Sequence, residues 1–280
     1  MKRIDSHVHV WNIARGDYGW LAPTPAMSPI YRDFSLDDLR PALTSAGIGA
    51  AVLVQAAPTV AETRFLLDVA RNSGGLVRGV VGWADLAAPD AVPIIEKLAA
   101  NRLLKSMRPM LQDLEDPCWI TQPQVAIALR ALAGLGLRFD ALVTPRELPW
   151  LLETLPRHPK LAVVVDHCAK PDIAHAVWQP WAADIAALAA DTSAYCKLSG
   201  LVTEAGAAWT IDHLRPYVDH IMACFGTRRV MWGSDWPVVT LAASYDDWLT
   251  TSDALLGGLT PTEREAVCGG NAARFYGLDA

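Results

Sequence analysis

Residues 3–9 read Arg3-Ile4-Asp5-Ser6-His7-Val8-His9, a short run that suits a strand and closes on two histidines. The same kind of run returns at 50–57 (AAVLVQAA), 77–86 (VRGVVGWADL), 103–111 (LLKSMRPML), 138–143 (RFDALV), 162–168 (AVVVDHC), 194–201 (AYCKLSGL) and 230–236 (VMWGSDW). Helical patterns lie between them at 36–46, 60–72, 90–101, 123–135, 181–190 and 211–225. Ser35 with Asp38 three positions on is an N-cap signal, and Pro145 and Pro149 punctuate the start of the segment after the fifth run. Strands that alternate with helices make right-handed βαβ crossovers and hence a parallel sheet. Eight such units close into a (β/α)8 barrel. A doubly wound open sheet usually has about five or six strands and often an early glycine fingerprint, absent here. The expectation is an α/β chain forming one distorted (β/α)8 barrel domain over residues 1–280.

Composition narrows the function. Charged residues are 19% and hydrophobic residues 52% of the 280, which excludes disorder as the main state and leaves ample material for a core. The net charge of −6 argues against nucleic acid or an anionic membrane surface as partner, because counterion release needs a basic face. No window approaches the roughly 18 uninterrupted apolar residues of a membrane span. Asp5 and His7 stand where a signal peptide would need its apolar stretch, so the expected location is the cytoplasm. Five scattered cysteines without a CxxC pair fit neither a disulfide framework nor a thiolate zinc knuckle. The expected partner is a small molecule; self-association into a homo-oligomer is left open.

Barrel chemistry sits at the C-terminal ends of the strands. The polar residues that end the runs are His7 and His9, Gln55, Asp85, Arg108, Asp140, His167, Lys197 and Asp235. Side chains two apart on a strand project together, so His7 and His9 point into one mouth, close enough to hold one metal ion or one carboxylate. His167 closes a β-branched run, Val163-Val164-Val165, and Asp235 sits between Gly233 and Pro237, which suggest a tight backbone course.

The motifs IDSHVHVW (4–11), VLVQAAPTVAET (52–63), GVVGWADL (79–86), RPMLQD (108–113), VVDHCAKP (164–171), CKLSGL (196–201), MWGSDWP (231–237) and GGNAARFYG (269–277) together span almost the whole chain. In this order they resemble the amidohydrolase superfamily, and more narrowly its amidohydrolase-2 branch of sugar lactonases and pyrone-dicarboxylate and muconolactone-type hydrolases. The resemblance implies that His7, His9, His167 and Asp235 occupy the catalytic positions. The sequence departs from the metal-dependent majority: the fourth run ends in Arg108 rather than a lysine or glutamate ligand, and the fifth offers Asp140 rather than histidine. A two-metal centre is therefore not expected. One divalent ion, zinc foremost, held by His7, His9 and Asp235 is an optional site, since the resemblance also includes members that need no metal.

Two cations and several indoles point to the substrate. Arg108 carries a planar fork suited to carboxylate or polyol oxygens. Lys197 is either a structural ion pair with a carboxylate such as Asp166 or a fixed charge for substrate oxygen. Gln55, Arg108, Asp140 and Lys197 are the expected polar substrate contacts, and Trp83, Trp232 and Trp236 the expected ring walls, a mixture suited to hydroxyl-rich rings. Few arginines at the mouth favour a neutral aldonolactone, of L-fucono or L-rhamnono type by the resemblance, over a dicarboxylate. The long loop 12–34 is expected to cover the mouth. The implied reaction is lactone hydrolysis by activated water, with Asp235 moving the proton and the imidazoles, Lys197 or one metal ion stabilising the oxyanion. A metal-dependent amide hydrolase, a decarboxylase or a dicarboxylate lactone hydrolase would use the same four positions.

Overall fold

The computed structural model describes residues 3–278; the four terminal positions of the expected domain lie outside them. Eight strands run β1 (Arg3–Val8), β2 (Ile48–Val54), β3 (Val77–Gly82), β4 (Leu104–Met107), β5 (Arg138–Ala141), β6 (Val163–Val165), β7 (Tyr195–Leu198) and β8 (Val230–Trp232). They pair in sequence order, each parallel to the next. Between and after them lie α1 (Leu36–Ser45), α2 (Val60–Arg71), α3 (Ala91–Ala99), α4 (Pro123–Gly134), α5 (Leu148–Thr154), α6 (Trp181–Asp191), α7 (Leu201–Ala205), α8 (Ile211–Phe225), α9 (Tyr245–Leu255), α10 (Pro261–Glu265) and α11 (Asn271–Tyr276). This is a (β/α)8 barrel. Its closure is irregular: β1 and β8 meet through one parallel bridge, Val8 with Trp236, supported by His9 N–H to Trp236 O at 2.7 Å and Asp235 N–H to His7 O at 2.9 Å. Those bonds bring the first histidines against the last aspartate.

Strands buried on both faces need apolar residues on both, and the two faces sort into two clusters. Leu53, Val80, Phe139, Val165 and Leu198 face outward against the helices. Ile4, Val52, Val54, Val81, Val164 and Met231 face inward with Phe275, Tyr276 and Leu278. Lys105 and Arg138, at the starts of β4 and β5, bond the Gly277 and Phe275 carbonyls, so the C-terminal segment plugs the end opposite the mouth. Helix starts follow the expected chemistry: Ser35 and Asp38 form a capping box on α1, and Thr59 caps α2 through Glu62 N–H.

The strands are shorter at their C-terminal ends than the runs suggested. The third stops at Gly82, the fourth at Met107, the sixth at Val165, the seventh at Leu198 and the eighth at Trp232, while β2 begins earlier, at Ile48. The reason is visible in the backbone, which leaves the sheet where it turns polar side chains over the mouth: His167 and Asp235 have φ of 51° and 61°. Helices α9 to α11 were not among the expected stretches, although Tyr245, Trp248, Ser252 and Leu255 bury one face of α9 at helical spacing. No helix among the described residues is long and apolar enough to cross a membrane.

Candidate active site

His7 and His9 leave β1 on the same side, as alternation requires, and their Nε2 atoms lie 3.2 Å apart. His9 Nδ1 is 2.7 Å from the Val54 carbonyl, which can only accept, so Nδ1 carries a proton and Nε2 is turned toward His7 and Asp235. Asp235 Oδ1 stands 3.3 Å from His9 Nε2, 3.7 Å from His7 Nε2 and 3.9 Å from His167 Nε2. Burial alone would raise the Asp235 carboxyl, but the three surrounding imidazoles outweigh it and hold the group well below the usual carboxylate range. Burial lowers His167 to about 4, so its ring is neutral at pH 7.

His167 belongs to an unusual element. His167, Cys168, Ala169 and Lys170 have φ of 51°, 53°, 57° and 48°, one turn of left-handed helix made without glycine. Such a conformation costs about 1–2 kcal/mol per residue, so the surroundings must impose it. Trp181 Nε1–H donates to Cys168 O at 2.7 Å, the Cys168 thiol donates to Lys197 O at 3.3 Å, and Lys170 N–H closes onto His167 O at 2.8 Å. His167 Nδ1 pairs with Ser199 Oγ at 2.9 Å. The ring fits only because residue 200 is glycine: a Cβ there would lie 2.7 Å from His167 Nδ1.

Beneath the histidines lies a buried ion network. Lys197 Nζ donates to Asp140 Oδ2 at 2.6 Å, forms an ion pair with Asp166 Oδ1 at 3.0 Å and lies 3.2 Å from His7 Nδ1. Arg108 reaches Asp166 Oδ2 at 3.3 Å and the Gln55 carbonyl, and Gln55 Nε2–H returns a bond to Arg108 O at 2.6 Å. Tyr276 O–H donates to Asp140 at 2.6 Å. Two cations thus face two carboxylates, the condition for burying charge. Asp166, though burial opposes it, is kept ionised far below its ordinary range by Lys197, His7 and Arg108. Above the network opens a cavity of about 140 Å³. His9, His167 and Asp235 form its floor, Arg108, Gln112, Asp113 and Lys170 its polar wall, and Trp20, Met110, Leu142 and Val238 its apolar wall. A larger cleft of about 590 Å³, between the first loop and helices α1 and α2, contains none of the ionisable cluster, so size does not locate the chemistry.

The four residues expected to act together are brought together, with His7 beneath the floor. Of the expected substrate contacts, Arg108 lines the cavity and the others do not. Lys197, Asp140 and Gln55 are fully buried below it, held by the network. Trp232 turns outward and donates from Nε1 to Ser252 Oγ at 2.9 Å; Trp236 packs on Phe34 with ring centroids 5.2 Å apart; Trp83 is half-buried outside the cavity, its backbone paired with Thr63. The indole wall comes instead from Trp20, on the loop expected as a cover, whose Nε1–H donates to Ala56 O at 2.6 Å. Asp85 is exposed and caps a turn through Ala87 N–H. Lys170, Gln112 and Asp113 were not singled out, although all three lie inside quoted motifs.

Comparison with known proteins bears on this arrangement. The family model described as amidohydrolase matches residues 4–278. The chain belongs to the amidohydrolase family. Among curated relatives, an L-fucono-1,5-lactonase of Burkholderia ambifaria is 44% identical, with 99% of this chain and 96% of the relative aligned. An L-fucono-1,5-lactonase of Burkholderia multivorans is 35% identical, again over 99% of this chain and 96% of the relative. A crystal structure of a Burkholderia multivorans amidohydrolase with bound zinc superposes with a TM-score of 0.93 at 36% identity, covering both chains fully. Among the described residues of this amidohydrolase two triads could hold an ion: His7, His9 and Asp235, and His7, Asp166 and His167, whose Asp166 is already paired with Lys197 and Arg108. Ligand atoms at about 2.0–2.1 Å from one tetrahedral zinc stand roughly 3.3 Å apart. The 3.2, 3.3 and 3.7 Å separations in the first triad match, and the Val54 carbonyl orients His9 as a ligand's outer partner does.

Proposed function

We propose that this amidohydrolase hydrolyses an aldonolactone of the L-fucono-1,5 type, breaking the ring C–O ester bond to give the open sugar acid. The observation that carries the reading is three imidazole Nε2 atoms within 3.9 Å of Asp235 Oδ1, those of His9 and His167 on the floor of a small cavity at the strand ends and that of His7 beneath it. In the proposed mechanism, water above the floor attacks the lactone carbonyl carbon as Asp235, ionised throughout the working range, accepts its proton. The tetrahedral carbon then collapses, the ring C–O bond breaks, and Asp235 passes the proton to the departing alkoxide. His167, neutral and fixed by Ser199, orients the reacting groups beside Asp235. Lys197 and Asp166 act from below by fixing His7 rather than by touching substrate.

His7, His9 and Asp235 would hold one divalent ion, zinc foremost; when bound it supplies Lewis acidity at the carbonyl and a more acidic water. The network is mononuclear in its donor set, because Lys197 fills the space against Asp140 and Asp166 that a second ion would need. The cavity's cations also favour a neutral lactone: Arg108 is already paired with Asp166, which leaves little fixed positive charge for two carboxylates. The five cysteines are all free, in keeping with a reducing cytoplasmic setting. A panel of aldonolactones followed with a pH indicator tests the reading. L-Fucono-1,5-lactone should exceed pyrone-dicarboxylate lactones in kcat/KM by about 10² or more, because a site built for hydroxyls rejects analogues that lack them. Preference for the dicarboxylate would overturn it.

A further inference from the structure

Lys170 is a cation in the cavity wall that the mechanism above leaves idle. A left-handed helical turn, like a right-handed one, returns to the same side after three to four residues. His167 and Lys170 therefore share a side, and both line the cavity. Pro171 follows directly, so the turn cannot extend as a helix. The chain thus accepts four consecutive unfavourable residues, and the result is one imidazole and one ammonium presented to the same space. Strain retained at a site by surrounding contacts marks function more often than accident.

The two cavity cations differ in freedom. The Arg108 guanidinium is almost fully buried and held by Asp166 and the Gln55 carbonyl. Among the described residues Lys170 pairs ionically with Glu204 alone, at 3.3 Å from Oε1, and both side chains keep a quarter of their surface exposed. Glu204 sits on α7, outside the cavity lining, so the pair pulls the ammonium toward the rim.

Resting on the lactonase reading, we infer that Lys170 binds the acyl oxygens of the bound molecule, the lactone carbonyl first and the product carboxylate afterwards, and that Glu204 is a positioning residue that competes for the ammonium and lets the product leave. The physical reason is a change of charge during turnover. The lactone is neutral and the open acid is an anion, so every hydrolysis creates a charge beside the loosely held Lys170 ammonium. Without a competitor, an ammonium–carboxylate pair in a cavity sheltered from water would retain product. Glu204, one side chain away, offers Lys170 an alternative carboxylate.

The test uses the intact chain and two probes of matched size: the aldonate product and the corresponding neutral alditol. Isothermal titration should show Lys170→Met weakening aldonate binding at least tenfold while alditol binding changes less than twofold. Lys170→Arg should retain most of the aldonate affinity, and Glu204→Gln should tighten aldonate several-fold and strengthen product inhibition without a matching change in KM for lactone. Lys170→Gly separates charge from scaffold, because glycine suits the left-handed backbone: it should melt at or above the wild-type temperature yet lose aldonate as the Met variant does. Aldonate binding within twofold of wild type in the Met and Gly variants overturns the proposal, as does a wild-type protein that binds no aldonate. A wild-type protein that binds aldonate through Lys170 but opens no lactone refutes the lactonase reading and leaves the carboxylate site standing.

Discussion

Gly200→Ala tests whether the placement of the His167 ring, rather than its mere presence, carries activity. Gly200 has φ of +69°, and a Cβ would stand 2.7 Å from His167 Nδ1 and 2.8 Å from Cγ. Restoring an ordinary 3.4 Å contact requires the ring to move by about 0.7 Å, away from Ser199 Oγ and off its present line to Asp235. Misplacement on the order of 1 Å at a reacting centre costs about 10²-fold, so kcat should fall by about 10–100-fold. The left-handed backbone adds about 1–2 kcal/mol of destabilisation, which for a chain of this size lowers Tm by roughly 2–8 °C. Gly226→Ala is the matched control: its φ is +65° and nothing lies within 4 Å of the added methyl. Initial rates on an aldonolactone and thermal melts of both variants separate the effects, since both should lose stability and only Gly200→Ala should lose rate. If Gly200→Ala keeps activity within threefold of wild type while its Tm falls like the control's, the ring's position is not what the site depends on.

Asp235→Asn should lose about 10²–10⁴ in kcat, the usual worth of a positioned proton carrier, while still binding aldonate; activity within threefold of wild type would remove Asp235 from the proton path. Zinc titrated into chelator-stripped protein should bind one equivalent per chain and none in His9→Ala, and the stripped protein should retain most of its lactonase activity. Two equivalents, or activity abolished by chelation and restored by zinc, would contradict an optional mononuclear site. Glu62 should make stability fall with rising pH. Burial pushes its carboxyl from 4.5 up to about 7, opposed by bonds from Tyr18 O–H and Ala56 N–H and by Arg15. The folded chain therefore keeps a proton that the unfolded chain has released, which costs up to about 3 kcal/mol as pH rises from 4.5 through 7. Urea unfolding at pH 5 and pH 8 should show this loss in wild type and a smaller one in Glu62→Gln; equal losses would refute it.

The barrel was legible in the sequence because its cause is local and repeated. Runs such as 50–57 and 162–168 suit only a buried strand, the stretches between them suit helices, and eight repeats of that unit have one economical closure. The convergence of the four expected site residues was legible for the same reason. Strand alternation places His7 and His9 together, and the strand ends of a barrel converge, so residues as distant as His167 and Asp235 were bound to meet them. The substrate wall was not legible, because it depends on where the backbone stops being a strand. Trp232 and Lys197 sit at apparent exits but point outward and downward, since their strands end at or just after them. Lys170 faces the cavity through a left-handed turn that its own sequence disfavours and that Trp181, Lys197 and Gly200 impose from elsewhere. Trp20 reaches the site on a loop that Tyr18 and Arg15 anchor to Glu62 on α2 and that its own indole ties to Ala56 O. Periodicity encodes which residues share a face; long-range contacts set which of them the substrate can touch.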